Sequence, residues 1–504
     1  MKIAITGASG NIGQAVLKEL LKLDFIEYFN VLGHKKKTTN KLLKSNRKYK
    51  DKIHLIMGSL NNNDVCLELI KDMDLVINMA GVIPPASDKH PKTAVEVNEL
   101  GVKTLINAIE SYNKDIKLIH LSTVDLYGNR TEKHPYGTTQ DPLLISPFDI
   151  YALTKLRGEF YILESNINNW CVLRQTAMLY DDILFKNISD GIMFQTAFNS
   201  PLEWSTAKDT TTLFKRIITS EHNNLLNKDN FWNKCFNIGG VEENKLTYYE
   251  TLNEGFKIIG GSTKDFFNTN YDSLRNSHGM WFSDSEKLDN LFHYKNESVS
   301  DFWASVYKSH KYFSISKIFP KKLIKKIVID RLLKDENAPR YWINNNDEAR
   351  VTAFFGGYDE YNNIPKKWDD FYLFSDSEKY IKTKKEPNLI NYYFDINKND
   401  KDITIEDLKN VASAHGGRLI SNTYSNNVYE KLEWETQNKE RFIARPYTIL
   451  RCGHWFNISY KEYAWDFDSL SKKDKIYASI WLDSHKDGEN HFYYFDSDFK
   501  ARIK

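Results

Sequence analysis

Cysteine is scarce. Four thiols, Cys66, Cys171, Cys235 and Cys452, are spread through 504 residues without a Cys-x-x-Cys pair. That spacing excludes a disulfide framework and reads as the reduced thiols of a cytoplasmic chain. Long apolar runs are missing too, and no stretch approaches the roughly 20 apolar residues that a membrane span needs. Neither sign of charge dominates: 69 Lys and Arg stand against 67 Asp and Glu, a formal net charge of +2. No global field therefore draws the chain to nucleic acid or lipid, and any polyanion partner would have to be read locally. A leader segment is not expected either, because residues 1–6 already have the pattern of a buried strand. No internal repeat is visible.

What is present is enough sequence for several units, with ample apolar content for real cores. Short apolar runs at Lys2–Thr6, 53–57, 75–79, 117–122 and 171–175 read as strands, and amphipathic stretches such as 11–23 and 93–112 have helical spacing. That alternation predicts an α/β fold with a doubly wound parallel sheet over residues 1–190. The mixed, aromatic-rich stretch 191–345 is expected to form a smaller substrate-covering region. Residues 346–402 read as a connector without a core of its own, 403–465 as a separate small α+β module, and 466–504 as a Tyr/Phe/Trp-rich tail. The basic, amphipathic run 317–334 would suit an anionic membrane surface. An ordinary docked helix with a solvated Lys face has the same pattern and is preferred.

The segment Thr6-Gly7-Ala8-Ser9-Gly10-Asn11-Ile12-Gly13 follows the first strand and opens a helix, the setting of a dinucleotide fingerprint. Gly7 would allow the tight turn, Gly10 the approach of a pyrophosphate, and Gly13 close packing of helix on strand. The phosphates, with Asn11 and Ile12, would sit at the helix N-terminus, where free N–H groups favour anions. After the second strand, expected to end at Val31-Leu32, come Gly33-His34-Lys35-Lys36-Lys37, with no carboxylate for a ribose 2′-hydroxyl. Basic residues there accommodate a 2′-phosphate, so NADP is preferred over NAD, with His34 and Lys35 as contacts.

Tyr151 and Lys155 are four residues apart and so share one face of a helix. A phenol with an ordinary pKa near 10 needs help to move protons near neutrality, and the Lys155 ammonium would supply it while reaching the cofactor. Thr123, at the end of the strand 117–122, would hold the substrate oxygen in line with Tyr151. Together with Ser122-Thr123-Val124-Asp125-Leu126-Tyr127-Gly128, these segments resemble the extended short-chain dehydrogenase/reductases, the epimerase/dehydratase group acting largely on nucleotide sugars. The resemblance covers about residues 1–310 and implies a Rossmann-type fold. It also implies cofactor contacts at Ala80 and Gly81, from Asn78-Met79-Ala80-Gly81, and at Asn98, from Val97-Asn98-Glu99-Leu100-Gly101. Leu173-Arg174 through Tyr180 resembles the strand near nicotinamide and substrate, which makes Arg174 a candidate orienting residue. Asn237-Ile238-Gly239-Gly240 resembles the late strand of the substrate domain.

Two departures narrow this reading. Sugar-nucleotide 4,6-dehydratases of the group carry Thr-Asp-Glu where this chain has Thr123-Val124-Asp125, so the general acid is missing and dehydration is disfavoured. The Gly-Pro that usually follows the tyrosine is replaced by Asp181-Asp182, which weakens the link to nucleotide sugars. Residues 403–460 resemble a small treble-clef zinc finger, but its ligand positions fall on Thr436, Glu440, Phe456 and Ser459. Such a set cannot hold structural zinc, so no metal is expected, and Trp434, Phe442, Trp455 and Phe456 would replace its folding energy by packing. Arg441, Arg445 and Arg451 would be the phosphate contacts of a nucleic-acid finger. Flanking Glu430, Glu433, Glu435 and Glu440 make an interaction or dimerisation module the better reading, and a homodimer stays open.

The sequence thus predicts a cytoplasmic NAD(P)-dependent epimerase or carbonyl reductase of a nucleotide-linked sugar, with Tyr151, Lys155 and Thr123 as catalytic residues. A non-sugar carbonyl substrate and a non-catalytic cofactor-binding scaffold are the alternatives.

Overall fold

The computed structural model describes residues 1–180, 190–310, 319–455, 464–489 and 492–494. Seven parallel strands form its centre: β1 (Lys2–Thr6), β2 (Tyr28–Gly33), β3 (Ile53–Met57), β4 (Leu75–Asn78), β5 (Lys117–Thr123), β6 (Trp170–Gln175) and β7 (Lys234–Ile238). Their order is β3-β2-β1-β4-β5-β6-β7. This is the doubly wound Rossmann-type arrangement, whose order reverses beside β1 and opens a ligand crevice at the strand C-termini. β1, β4 and β6 are buried almost end to end because helices cover both faces.

The first helix, α1, spans Asn11–Leu20 and buries Gly13, Val16, Leu17 and Leu20, the i, i+3, i+4, i+7 stripe its sequence encodes. It ends three residues before the expected 23. The helical stretch expected over 93–112 is interrupted by a π turn at Val95–Leu100, and the regular helix starts at Gly101. Lys36 and Lys37, read as part of a basic loop, open the helix Lys36–Ser45.

The sheet does not end at residue 190. β7 lies inside the stretch expected to be substrate-covering, and the helix Ala207–His222 packs Leu213, Phe214, Ile217 and Ile218 into the core under β1 and α1. The segment 237–240, assigned to the substrate region by resemblance, is therefore the end of the central sheet's edge strand. What remains of that region is a three-stranded sheet of Ala177–Leu179, Pro201–Thr206 and Lys245–Thr247, with helices around it. The basic run near 320 docks through Ile329, Leu332 and Leu333, while 317 and 318 lie outside the described residues. No described helix is long and apolar enough to cross a membrane.

The C-terminal unit pairs Leu432–Glu435 with Arg418–Leu419 and Arg441–Ala444, beside the helix Ile405–Ala414. It is not separate. Its Leu408, Val411, Trp434, Phe442 and Trp455 belong to the same continuous core as Leu105, Ile109 and Trp170 beneath the sheet. Trp455 meets Trp434 and Phe442 edge-on at ring distances of 6.2 and 5.3 Å. Thr436 and Glu440 close the turn between two strands, and Phe456 and Ser459 lie outside the described residues. Arg445 is tied to Leu163 O and Tyr429 O, and Arg451 to Asp400 and Gln140, so neither guanidinium is presented to a phosphate backbone.

One buried group runs against stability. Asp272 is 1% exposed, and among the described residues neither carboxylate oxygen has a hydrogen-bond partner. Burial alone raises its pKa well above the ordinary 3.8. Between those two values the folded chain holds a proton that the unfolded chain has released, so stability contributed at low pH is lost as pH rises. Asp272→Asn is therefore expected to stabilise the protein. The gain should grow by about 1.4 kcal/mol per pH unit above 3.8, up to the folded pKa. Urea denaturation of both forms across pH measures it, and a variant no more stable than the parent at neutral pH would refute the reading.

Candidate active site

At the C-terminal end of β1 the chain turns through Gly7, whose φ of +70° and lack of Cβ are both required, because a Cβ would meet Met79 O at 2.4 Å. A Cβ on Gly13 would meet Gly7 O at 2.2 Å, so that glycine seats α1 against the turn. Gly10 and Asn11 are exposed at the start of α1, and Ile12 leans on the core beneath it. His34 and Lys35 are exposed just beyond β2. Such an open cradle at a helix N-terminus fits the diphosphate of a nicotinamide dinucleotide.

The next turn is positioned by buried polar groups. Thr6 Oγ1 donates to Asn78 Oδ1 (2.6 Å) and accepts from Ala80 N (3.1 Å), which places Ala80 and the exposed Gly81 beside the glycine turn. Asn98 differs from its expected role as a cofactor contact. It is fully buried on the π turn, where it accepts from Val82 N (2.8 Å) and donates to Val82 O and Thr154 Oγ1 (both 3.0 Å). Asn98 thus staples the loop after β4 to the helix Ile150–Leu163 and does not face the crevice.

That helix brings Tyr151 against the end of β5, where its hydroxyl hydrogen-bonds Thr123. Thr123 Oγ1 in turn donates to Asp125 Oδ1 at 2.8 Å. Burial, with the charges of Asp125 and Asp149, holds the phenol well above its ordinary pKa, and the Thr123 bond opposes this only in part. Tyr151 is a neutral proton donor here. Lys155 has a different neighbourhood from the one its spacing suggested: its Nζ donates to Leu121 O (2.6 Å) and faces His120 Nε2 (3.3 Å). Burial, partly opposed by Glu159, lowers its pKa to about 8. The charges acting most strongly on Tyr151 are the carboxylates of Asp125 and Asp149.

Arg174 is corrected outright. It is fully buried, with its guanidinium on Glu159 (2.6 Å), Tyr127 Oη (2.7 Å), Thr139 O (3.1 Å) and Cys452 O (2.7 Å). No atom of it reaches the crevice. Glu159, equally buried, also accepts from Ser122 Oγ (2.5 Å) and pairs with His454 Nε2 (3.0 Å). Burial pushes its carboxyl up, but Arg174 and His454 outweigh this and hold it well below the usual range.

Sequence reasoning missed Asp149 and His278. Asp149 caps the helix, accepting from Ala152 N (2.8 Å), and follows Phe148, whose φ of +64° is a rare conformation for a bulky residue. His278 Nε2 lies 3.6 Å from Asp125 Oδ2 and its Nδ1 lies 3.7 Å from Asp149 Oδ2. Asp149 and His278 face a cavity of about 470 Å³, with Pro84, Gln195 and Trp342 on its walls. Burial and the Asp125 charge raise Asp149 to about 7. Burial disfavours charge on His278, yet Asp125, Asp149 and Asp88 outweigh it and raise its pKa.

The chain is 30% identical over 127 residues to UDP-glucose 4-epimerase of Rickettsia bellii (strain OSU 85-389), covering 24% of this chain and 36% of that one. It is 27% identical over 168 residues to protein CapI of Staphylococcus aureus, covering 32% and 48%. It therefore spans less than half the length of either curated relative. Among solved structures, a double mutant of DesIV, the dTDP-glucose 4,6-dehydratase of Streptomyces venezuelae, with NAD and DAU bound, overlays with a TM-score of 0.49 at 15% identity, over 63% of this chain and 100% of that one. Residues 3–175 match the model of the NAD dependent epimerase/dehydratase family.

Proposed function

We propose that the protein is an NAD(P)-dependent epimerase or carbonyl reductase acting on a nucleotide-linked sugar, with Tyr151 as the proton donor and acceptor at the substrate oxygen. The observation that carries this reading is the neutral Tyr151 phenol, bonded to Thr123 at the end of β5, where the strand C-termini meet the glycine cradle. A protonated phenol is the form needed to deliver a proton to a carbonyl oxygen as hydride arrives at its carbon. Gly7, Gly10, Asn11, Ile12, Gly13, Ala80 and Gly81 would hold the cofactor, which supplies the hydride donor and acceptor when bound. Thr123 would align the substrate oxygen, and Lys155 would stiffen the floor of the site through Leu121 O.

NADP is the preferred cofactor on the exposed His34 and Lys35 and the absence of a carboxylate after Gly33. The four cysteines, all buried and free, suit a cytoplasmic protein. The C-terminal unit is taken to be zinc-free and to brace the chain from within, since its aromatic face is consumed by the common core. A non-sugar carbonyl substrate is the second reading; Asp181 and Asp182, which favoured it, lie outside the described residues.

Purified protein would be incubated with UDP- and dTDP-linked sugars and either NADPH or NADH. A new epimer by NMR without net cofactor loss assigns epimerisation, and stoichiometric nicotinamide oxidation assigns reduction. Neither outcome with any sugar would overturn the proposal.

A further inference from the structure

We propose that Thr123, Asp125 and His278 form a proton relay that connects Tyr151 to solvent, with Asp149 holding the imidazole in place. The inference rests on the reading of Tyr151 given above. Whenever Tyr151 acts as a base, it must first dispose of the proton that its neighbourhood holds so firmly. Lys155 offers no outlet, since its Nζ is turned to Leu121 O and His120 inside the sheet. On the other side of the phenol a continuous line of exchangeable groups begins: the Thr123 hydroxyl bonded to Tyr151, Asp125 Oδ1 at 2.8 Å, and the His278 imidazole 3.6 Å from Asp125 Oδ2. The last gap is one that a small ring rotation closes. His278 is the exposed end, with 40% of its side chain open against 11% for Asp125 and 12% for Asp149.

The local backbone is built around this pair. Phe148 takes the left-handed conformation that residues of its size avoid, at a cost of about 1–3 kcal/mol. It is held there by the Arg350 guanidinium over its ring at 4.8 Å. The turn delivers Asp149 simultaneously as helix cap through Oδ1 and as imidazole partner through Oδ2. From the other side, the loop before His278 is fixed by Asn276, which donates to Ala353 O (2.7 Å) and contacts His485 (3.1 Å).

In the oxidising direction the substrate carbon would give up hydride with its electron pair to a bound oxidised nicotinamide, and its oxygen would lose one proton as the C=O bond forms. That proton goes to Tyr151 Oη while the phenol's own proton passes to Thr123 Oγ1. The Thr123 proton passes to Asp125 and from there to the imidazole, which releases it to water. One proton leaves per hydride transferred, and every relay group returns to its starting form. The reducing direction runs the same line inward.

Two experiments test the relay. In the cofactor-free protein the His278 titration can be followed by NMR of labelled histidine. Asp149→Asn, which keeps the helix cap, should lower its midpoint because one of the facing anions is removed; an unchanged midpoint overturns the geometry. In stopped-flow oxidation of a nucleotide sugar that proves to be a substrate, nicotinamide absorbance and dye-reported proton release would be recorded together. His278→Gln should slow proton release by about tenfold or more, with cofactor affinity retained and the rate restored by added imidazole. Proton release at the parent's rate, or slowed release that imidazole does not rescue, overturns the relay alone. Absence of both epimer formation and any nicotinamide oxidation or reduction by the parent protein with every sugar instead overturns the proposed function, and the relay with it.

Discussion

Tyr151→Phe is expected to lower turnover by about 10²–10⁴-fold, the range that a positioned acid or base contributes, while binding of the nicotinamide cofactor stays close to that of the parent. The substitution removes one oxygen from a half-buried ring at the start of the helix Ile150–Leu163 and leaves the ring's packing in place. What disappears is the hydroxyl that is bonded to Thr123 and lies under the charges of Asp125 and Asp149. Removing Lys155 should act differently. Its ammonium bonds Leu121 O and faces His120, so Lys155→Met would leave both β5 groups without that partner. Rates under substrate saturation, with cofactor affinity measured separately by fluorescence titration, distinguish the two variants. Full turnover in Tyr151→Phe would remove the phenol from the mechanism.

The difference between those residues marks where the sequence was readable. Gly7 and Gly13 could be assigned because the constraint is local: strand, turn and helix follow within a dozen residues, and the clash a Cβ would make is with neighbouring backbone. Tyr151 and Lys155 were correctly placed on one helical face, but four-residue spacing does not say which strand groups the ammonium meets. That depends on His120 and Leu121, contributed from more than thirty residues away. Asn98 and Arg174 were assigned by resemblance, and both proved to be buried braces, because a motif's position carries over more readily than the environment that gives it a role. A signal for Glu159 existed: it is an acidic residue in a helix buried on nearly all sides, and such a group demands a cation. Asp149 with His278, 129 positions apart, left no pattern in the sequence. The shared core of the C-terminal unit was hidden for the same reason, since its aromatics are equally consistent with packing on themselves.

Arg174→Met is expected to destabilise the protein by about 3–5 kcal/mol, the effect of leaving one member of a buried ion pair without its counter-charge. Both side chains are fully enclosed, so solvent cannot take over the lost contacts. The Glu159 carboxylate would keep only Ser122 and His454, and Cys452 O and Thr139 O would each lose a donor. Glu159→Gln should destabilise by a similar mechanism, through an unpaired guanidinium. The double variant Glu159→Gln with Arg174→Met should lose much less than the sum, because a buried pair replaced as a unit leaves neither charge exposed to the low-dielectric interior. A urea-denaturation cycle over the four proteins gives the coupling directly. The same cycle decides between the two roles Arg174 has been given. A substrate-orienting arginine would change KM and leave unfolding untouched. The enclosed brace instead predicts lost stability, with KM preserved in whatever fraction remains folded. Because Arg174 and His454 join β6 and Glu159 to the segment 452–454, loss of the pair should also loosen the C-terminal unit from the sheet, so the unfolding transition should broaden as well as shift.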